Sequence, residues 1–181
     1  LEIDASAPDH LVAVHGVRFR LDVEDAARQV VARARKPGDS PPIPTIPGAF
    51  IGRSEELETI RTHVAAGARL ITLVGPGGAG KTRIALRFLN SLSVPPYFCD
   101  LADARDAADV CSVASAGTGV GVVASGDVDV DVVAIADAWS AMEGSVVVLD
   151  NFEQVSDAAA KTVSEWTSTK HGPHLIVTSR A

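Results

Sequence analysis

Residues 75–82 combine glycines, a lysine and a hydroxyl side chain at a spacing that suits phosphate binding. Successive backbone N–H groups can turn inward there and form an anion-binding nest. Lys81 can reach the β- and γ-phosphates, and the Thr82 hydroxyl can bind Mg²⁺. The segment fits the P-loop pattern G-x-x-x-x-G-K-[ST], and it predicts a site for a nucleoside triphosphate with Mg²⁺. Its residues are Gly75, Pro76, Gly77, Gly78, Ala79, Gly80, Lys81 and Thr82.

The flanking residues argue against the alternative, a glycine-rich turn that meets Lys-Thr by chance. Residues 69–74 are mainly apolar and β-branched, which predicts a strand buried on both faces. Residues 83–89 carry apolar side chains at helical spacing, so a helix should follow. The positive end of that helix would add to the phosphate site. The motif works in this order of strand, loop and helix.

Asp150 is the second candidate for the same chemistry. It ends the apolar run 146–149, which is the Walker B pattern. A carboxylate at the end of a central strand would lie beside the P-loop, where it can engage Mg²⁺. Because any buried strand can end in aspartate, the alternative is that Asp150 caps the following turn. Its place downstream of a P-loop favours the metal role.

Arg180 is the third candidate, at the end of an apparent strand over 175–178. An arginine there can point at the γ-phosphate and stabilise its charge or sense its presence. The alternative is a solvated surface arginine. The two preceding motifs favour the sensor role.

Other candidate sites fail on spacing or composition. Residues 127–131 alternate Asp with Val but lack the Gly and Glu of a calcium loop, so they predict a solvated loop and a helix cap. Cys99 and Cys111 lack metal-ligand spacing and are expected to be reduced, buried thiols of a cytoplasmic protein. The net charge of −7 argues against nucleic-acid binding through a broad basic face. No apolar run approaches membrane-spanning length.

A proline-rich segment divides the chain. Residues 36–48 hold half of the ten prolines and predict an extended linker. Residues 1–35 predict a hairpin over 11–21 and a helix over 23–35. Residues 49–181 alternate strands with helices, which predicts an α/β domain with a parallel sheet and a ligand at the carboxyl ends of its strands.

Periodicity also places the elements of residues 49–181. Ser54 is expected to cap a first helix with an apolar stripe of Leu57, Ile60 and Val64. A glycine-rich loop is expected over 117–126. The predicted strands are 69–74, 96–101, 146–150 and 175–178, and the later helices are 83–89, 104–116, 132–142 and 155–166.

Four segments, taken together, carry a family resemblance. They are Phe50-Ile-Gly-Arg53, the P-loop with Thr82-Arg83, Leu149-Asp-Asn-Phe-Glu-Gln154 and Val177-Thr-Ser-Arg-Ala181. In order and spacing they resemble the STAND-type signalling ATPases, and they are similar to the NB-ARC/AP-ATPase branch of large bacterial transcription regulators. The resemblance covers about residues 46–181.

This resemblance implies roles for the matching positions. Ile51 and Arg53 would lie near the adenine base, the P-loop would hold the phosphates, and Arg83 would be a further nucleotide contact. Asp150 would engage Mg²⁺, and Arg180 would be the sensor arginine. Such proteins rest in a closed ADP-bound state and open and oligomerise on exchange for ATP. Self-association in the ATP state is therefore expected.

The N-terminal segments resemble parts of bacterial regulators of the SARP type. Residues 11–21 look like the wing hairpin of an OmpR-type winged helix, and residues 22–35 look like the first helix of an activation domain. The resemblance implies that the parent protein binds DNA through a winged helix that this chain lacks. Together with a start without Met and an end directly after a strand, it leads us to expect a fragment of a longer protein.

These observations predict a P-loop NTPase core of the ASCE type that acts as an ATP/ADP switch in a cytoplasmic transcription regulator. Any Mg²⁺-dependent hydrolysis should be slow, because Asn151, a poor base, stands where many ATPases carry a second carboxylate. Glu153 is close in sequence, but its direction is not fixed. One alternative is a motor or metabolic ATPase or kinase with rapid turnover. Another is an interaction module that has lost nucleotide, against which the intact Lys81, Thr82 and Asp150 argue.

Overall fold

The computed structural model describes residues 2–3, 42–45, 48, 50, 52–155 and 157–180. The predicted hairpin over 11–21, the helix over 23–35 and most of the linker over 36–48 lie outside this part of the chain. The strands are β1 (Glu2–Ile3), β2 (Leu70–Val74), β3 (Pro96–Asp100), β4 (Val146–Asp150) and β5 (His174–Ser179). The helices are α1 (Ser54–Ala65), α2 (Lys81–Leu89), α3 (Ala107–Thr118), α4 (Val128–Ser140) and α5 (Asp157–Ser168), and a 3₁₀ turn covers Phe152–Gln154.

The strands form one sheet in the order β1-β2-β5-β4-β3. The four strands β2, β5, β4 and β3 are parallel, whereas β1 pairs antiparallel with β2 at the edge. Parallel strands direct their carboxyl ends to the same edge. The loop after β2 and the residues that end β3, β4 and β5 therefore meet there. The predicted α/β fold with a parallel sheet is confirmed.

Alternation along β4 divides the core between the two faces of the sheet. Val146 and Val148 pack against apolar side chains of α1 and α2. Val147 and Leu149 pack on the other face, against α3, α4 and α5. All five residues of β4 are buried, as expected of a parallel strand covered on both faces. Burial of each Val or Leu side chain contributes about 1.5–3 kcal/mol, so β4 is a firmly held support for Asp150 at its end.

The start of α1 differs from the sequence expectation. The N-cap is Arg53, in the left-handed conformation and without a side-chain cap bond, so the prediction that Ser54 caps this helix is wrong. Arg53 donates instead to Glu56 in the first turn, at 2.6 Å. The predicted apolar stripe is confirmed, because Leu57 and Ile60 are buried and Val64 packs against the same cluster.

Side-chain caps shift the bounds of α3 and α4. Asp106 accepts a hydrogen bond from the Asp109 N–H, so α3 begins at Ala107 and not at 104. This helix continues to Thr118, so the glycine-rich loop begins later than the predicted residue 117. The expected cap in the run 127–131 is confirmed, because Asp127 accepts from two N–H groups of the first turn of α4.

Asp131 corrects the expectation that the whole acidic run 127–131 is solvated. Its side chain is buried, and its Oδ1 accepts a hydrogen bond of 2.8 Å from the Ser125 N–H. The carboxylate therefore fastens the preceding loop to α4. No cluster of three or more metal-ligating side chains occurs in the described ranges. Within those ranges, no helix has the length and apolar character needed to span a membrane.

The two cysteines are free and buried, as the sequence predicts. Burial raises the pKa of the Cys99 thiol to about 12. Burial, with a smaller contribution from Asp131, raises the pKa of the Cys111 thiol to about 12 as well. Both side chains are therefore protonated at neutral pH and act as small apolar residues of the core.

Candidate functional site

The loop between β2 and α2 has the backbone shape that its glycines predict. The Gly75 N–H donates to the Ser179 carbonyl oxygen at 3.4 Å, so the loop begins where β2 and β5 end. Gly78 and Gly80 have φ values of 78° and 88°, in the left-handed region that favours glycine. Gly80 is the N-cap of α2 and supplies no side-chain acceptor. The first N–H groups of α2 thus lie at the loop without a cap from Gly80 and suit an anion.

Lys81 brings a cation to this loop. Its Nζ donates to the carbonyl oxygens of Gly75, at 2.8 Å, and of Pro76, at 3.2 Å. Only 8% of the residue is exposed, so the ammonium lies within the loop and is held by the loop's own backbone. A phosphate oxygen entering the loop would compete with these carbonyls for the same donor, with the advantage of its negative charge.

Asp150 and Thr82 are in direct contact at the carboxyl edge of the sheet. Thr82 Oγ1 lies 2.9 Å from both carboxylate oxygens of Asp150. Thr178 Oγ1 donates to Asp150 Oδ1 at 2.6 Å. Only 2% of Asp150 is exposed, and burial raises the pKa of its carboxyl although both threonine hydrogen bonds act to lower it. A buried carboxylate beside a hydroxyl is a donor set that suits a hard divalent cation.

Thr178 is a site residue whose role the sequence analysis missed. Its hydroxyl joins two strand ends, because it donates to Asp150 and also accepts a hydrogen bond of 3.0 Å from the Asn151 N–H. Its position in the sequence could have indicated this role. Thr178 directly follows the apolar run of β5, as Asp150 directly follows the apolar run of β4.

Asn151 links Asp150 to a further carboxylate that the sequence analysis did not single out. Its Nδ2 donates to Asp100 Oδ1 at 2.9 Å and lies 3.3 Å from Asp150 Oδ2. Asp100 ends β3 and is in register with Asp150 across the pair of strands. The amide therefore sits between two acidic side chains, and the negative charge of Asp100 contributes to the raised pKa of Asp150.

Arg180 and Glu153 form an ion pair. Arg180 Nε lies 2.9 Å from Glu153 Oε1, and the arginine side chain is more exposed than the glutamate. The second carboxylate oxygen, Glu153 Oε2, is buried without a hydrogen-bond partner among the described residues. The direction of Glu153, which the sequence left open, is thus towards the arginine. The sensor role of Arg180 stays a prediction.

A cavity of about 160 Å³ adjoins the P-loop. Arg53 lines it and its NH2 lies 3.5 Å from the Ala79 carbonyl oxygen, so the segment before α1 contacts the loop. Arg87 lies over the Phe50 ring at 5.9 Å and supports that wall. The cavity is lined by Phe50, Arg53, Ala79, Gly80, Arg83 and Ile84.

The predicted site residues fall into three neighbouring groups. Lys81, Thr82 and Asp150 meet where β2 and β4 end. Arg53 and Arg83 line the adjoining cavity. Arg180 lies with Glu153. Ile51, the remaining predicted contact, is outside the described residues.

Comparison with known proteins identifies a family for this chain. The family model described as "AAA domain" matches residues 64–180. No curated protein matches the chain. Among solved structures, the Aeropyrum pernix ORC2 protein, in ADPNP and ADP complexes, is similar with a TM-score of 0.48 and 16% identity over 76% of this chain. The chain spans 42% of the length of that protein. Because the family model matches more than half of the residues, the chain belongs to the AAA domain family and contains an AAA-type P-loop ATPase domain.

Proposed function

We propose that this domain binds ATP and ADP with Mg²⁺ at the P-loop. The observation that carries the proposal is the contact between Thr82 and Asp150, whose oxygens lie 2.9 Å apart although the residues are 68 positions apart in the chain. The contact places a threonine at the start of α2 and a buried carboxylate at the end of β4 side by side, next to an anion-binding loop. They are the two protein ligands that a Mg²⁺ ion on a triphosphate requires.

Each part of the site would hold a different part of the ligand. The backbone N–H groups of Gly77, Gly78 and Gly80, together with those of the first turn of α2, would bind the phosphates. Lys81 would exchange its bonds to the loop carbonyls for bonds to the β- and γ-phosphates. The cavity beside Arg53 would take the base, with Arg83 at its wall. The adenine preference rests on the resemblance of residues 50–53 to the STAND-type proteins.

Thr82 and Asp150 would hold the Mg²⁺. When bound, the ion neutralises negative charge on the phosphate oxygens. Two observations support Mg²⁺ at this position. The side chains present are a carboxylate and a hydroxyl, and burial raises the pKa of Asp150, so a cation that enters would stabilise the charged form of this carboxylate strongly.

The same geometry favours a switch that turns over slowly. Asn151 occupies the position after Asp150 and is bonded to Asp100, so it presents an amide and no base. Glu153 is held by Arg180. We therefore propose that hydrolysis resets the domain and does not drive work. A motor or a kinase would need rapid turnover, and a kinase would also need an acceptor site.

The biological setting is a finer proposal. The resemblance of residues 46–181 to NB-ARC ATPases of bacterial transcription regulators supports a regulator that self-associates in its ATP state. DNA would be bound by a domain outside this chain. A sensor arginine at Arg180 fits this scheme, since the side chain follows β5 at the same edge as the P-loop.

Calorimetric titration with ATP and ADP, each with and without Mg²⁺, tests the proposal. The discriminating variant is Lys81→Ala, and the matched control is Lys161→Ala, an exposed lysine of α5. Lys81→Ala would remove two charge-assisted contacts to the β- and γ-phosphates, each contributing about 1.5–3 kcal/mol. We therefore expect at least a 100-fold loss of ATP affinity. The control should bind as the wild type does. Equal affinities in all three proteins would show that the P-loop is not the site.

A further inference from the structure

Asp150, Glu153 and Asp100 end or follow parallel strands at the edge that carries the P-loop, and the first two are hydrogen-bonded or ion-paired there. Asp150 is buried and accepts hydrogen bonds from two threonines. Glu153 is paired with Arg180, and its other oxygen is buried. The third, Asp100, is exposed. Both hydrogen bonds that Asp100 accepts from described residues go to Oδ1, from Asn151 Nδ2 and from the Ala102 N–H, so Oδ2 is able to accept a proton.

Asn151 fixes where the Asp100 carboxylate lies. One amide nitrogen is within hydrogen-bond reach of Asp100 Oδ1, at 2.9 Å, and of Asp150 Oδ2, at 3.3 Å. The Asn151 backbone is held as well, through its N–H bond to Thr178. Asp100 is therefore one side chain away from the proposed Mg²⁺ ligand, on the neighbouring strand β3 and at the same register position.

We propose that Asp100 is the general base for ATP hydrolysis in this domain, in place of the carboxylate that Asn151 does not supply. The inference rests on the proposed nucleotide site. In the step, the oxygen of a water molecule forms a bond to the γ-phosphorus. The bond from that phosphorus to the β–γ bridging oxygen breaks, and its electron pair leaves with ADP. The water proton passes to Asp100 Oδ2 and then, because Asp100 is exposed, to solvent.

The arrangement gives Asn151 and Asp100 different roles. The two hydrogen bonds to Oδ1 orient the Asp100 carboxylate and leave Oδ2 for the proton. Asn151 holds the carboxylate in place but takes no proton itself.

Single-turnover hydrolysis of ATP by the whole chain tests this role. The discriminating variant is Asp100→Asn, in which the amide oxygen can still accept the bond from Asn151. The matched control is Asp103→Asn, an exposed aspartate three positions further along the chain. A general base contributes about 10²–10⁴-fold, so Asp100→Asn should be at least 100-fold slower than the wild type. The loss of rate should far exceed any change in its ATP affinity or its Tm, and Asp103→Asn should match the wild type in all three measurements.

Chemical rescue separates proton transfer from a merely structural role. Formate added to Asp100→Ala should restore part of the rate, since a small carboxylate can enter the exposed position; the Asp103→Ala variant should show no formate effect. Wild-type rates in Asp100→Asn, or a loss of turnover in Glu153→Gln alone, would overturn the proposal. Wild-type protein that binds ATP but shows no turnover would overturn it too and leave the nucleotide site standing. Absence of ATP binding would overturn the proposed function itself.

Discussion

Replacing Thr82 by valine tests whether Mg²⁺ binds at the Thr82–Asp150 pair. Valine keeps the branched shape and removes the hydroxyl that lies 2.9 Å from both Asp150 oxygens. One hydrogen bond to a charged acceptor contributes about 1.5–3 kcal/mol, so the free energy of unfolding of the ligand-free protein should fall by about 2 kcal/mol. In a chain of this size that fall lowers Tm by about 4–8 °C.

The functional effect of Thr82→Val should be larger with Mg²⁺ than without it. Calorimetry would give the ATP affinity in both conditions, and the ratio of the two is the gain due to the metal. We expect this gain to fall at least tenfold, which corresponds to about 1.4 kcal/mol, because one of two protein ligands is lost. Thr82→Ser is the matched control, since it keeps the hydroxyl and should keep most of the gain and of the Tm.

One result would refute this reasoning directly. If Thr82→Val and Thr82→Ser show the same Mg²⁺-dependent gain as the wild type, the hydroxyl is not a metal ligand, and the contact with Asp150 serves the fold alone. Equal losses of ATP affinity with and without Mg²⁺ would lead to the same conclusion, because they would describe a damaged phosphate loop.

Further predictions concern charge, packing and the sensor. Asp150→Asn should raise Tm at pH 7 while removing most of the Mg²⁺-dependent gain. Burial raises the pKa of Asp150, so the folded state keeps its proton to higher pH than the unfolded state. The contribution of Asp150 to the free energy of unfolding should therefore fall as pH rises from about 4 through the pKa of the folded state. Thermal unfolding of the asparagine variant across the same pH range should lack that fall. Gly117→Ala should lower Tm despite the helix preference of alanine, about 1 kcal/mol, because its Cβ would lie 2.5 Å from Cys99 Sγ. Adding Cys99→Ala should recover only part of the lost Tm, because the Phe98 carbonyl oxygen would remain 3.1 Å from the added Cβ; no recovery would place the strain elsewhere. Arg180→Ala should weaken ATP binding and spare ADP binding, whereas equal losses in calorimetry would contradict a γ-phosphate sensor.

The sequence predicted the sheet well because burial of its strands is decided by short local patterns. The run 146–150 is apolar at four successive positions, which is typical of a strand covered on both faces, and the observed strand has the same bounds. The P-loop could be predicted equally well, because Gly78 and Gly80 adopt positive φ values that favour glycine.

The remaining site contacts could not be predicted because they join residues distant in the chain. Asn151 and Asp100 are 51 positions apart, and Thr178 and Asp150 are 28 apart. Which polar side chain meets which at the edge of a sheet depends on strand order and register, and neither is encoded in local periodicity. The start of α1 was predicted wrongly for a related reason. Arg53, and not Ser54, is the N-cap; its backbone is left-handed and its side chain contacts the distant P-loop residue Ala79.

That conformation has a consequence for engineering. Arg53 and Asn151, with φ values of 64° and 63°, are the non-glycine residues with positive φ among those described, and both border the proposed nucleotide site. For arginine this conformation costs about 1–2 kcal/mol relative to ordinary backbone. A redesign guided only by thermal tolerance would place glycine at both positions. It would relieve the backbone strain and discard a wall of the proposed base cavity and the amide that holds Asp100.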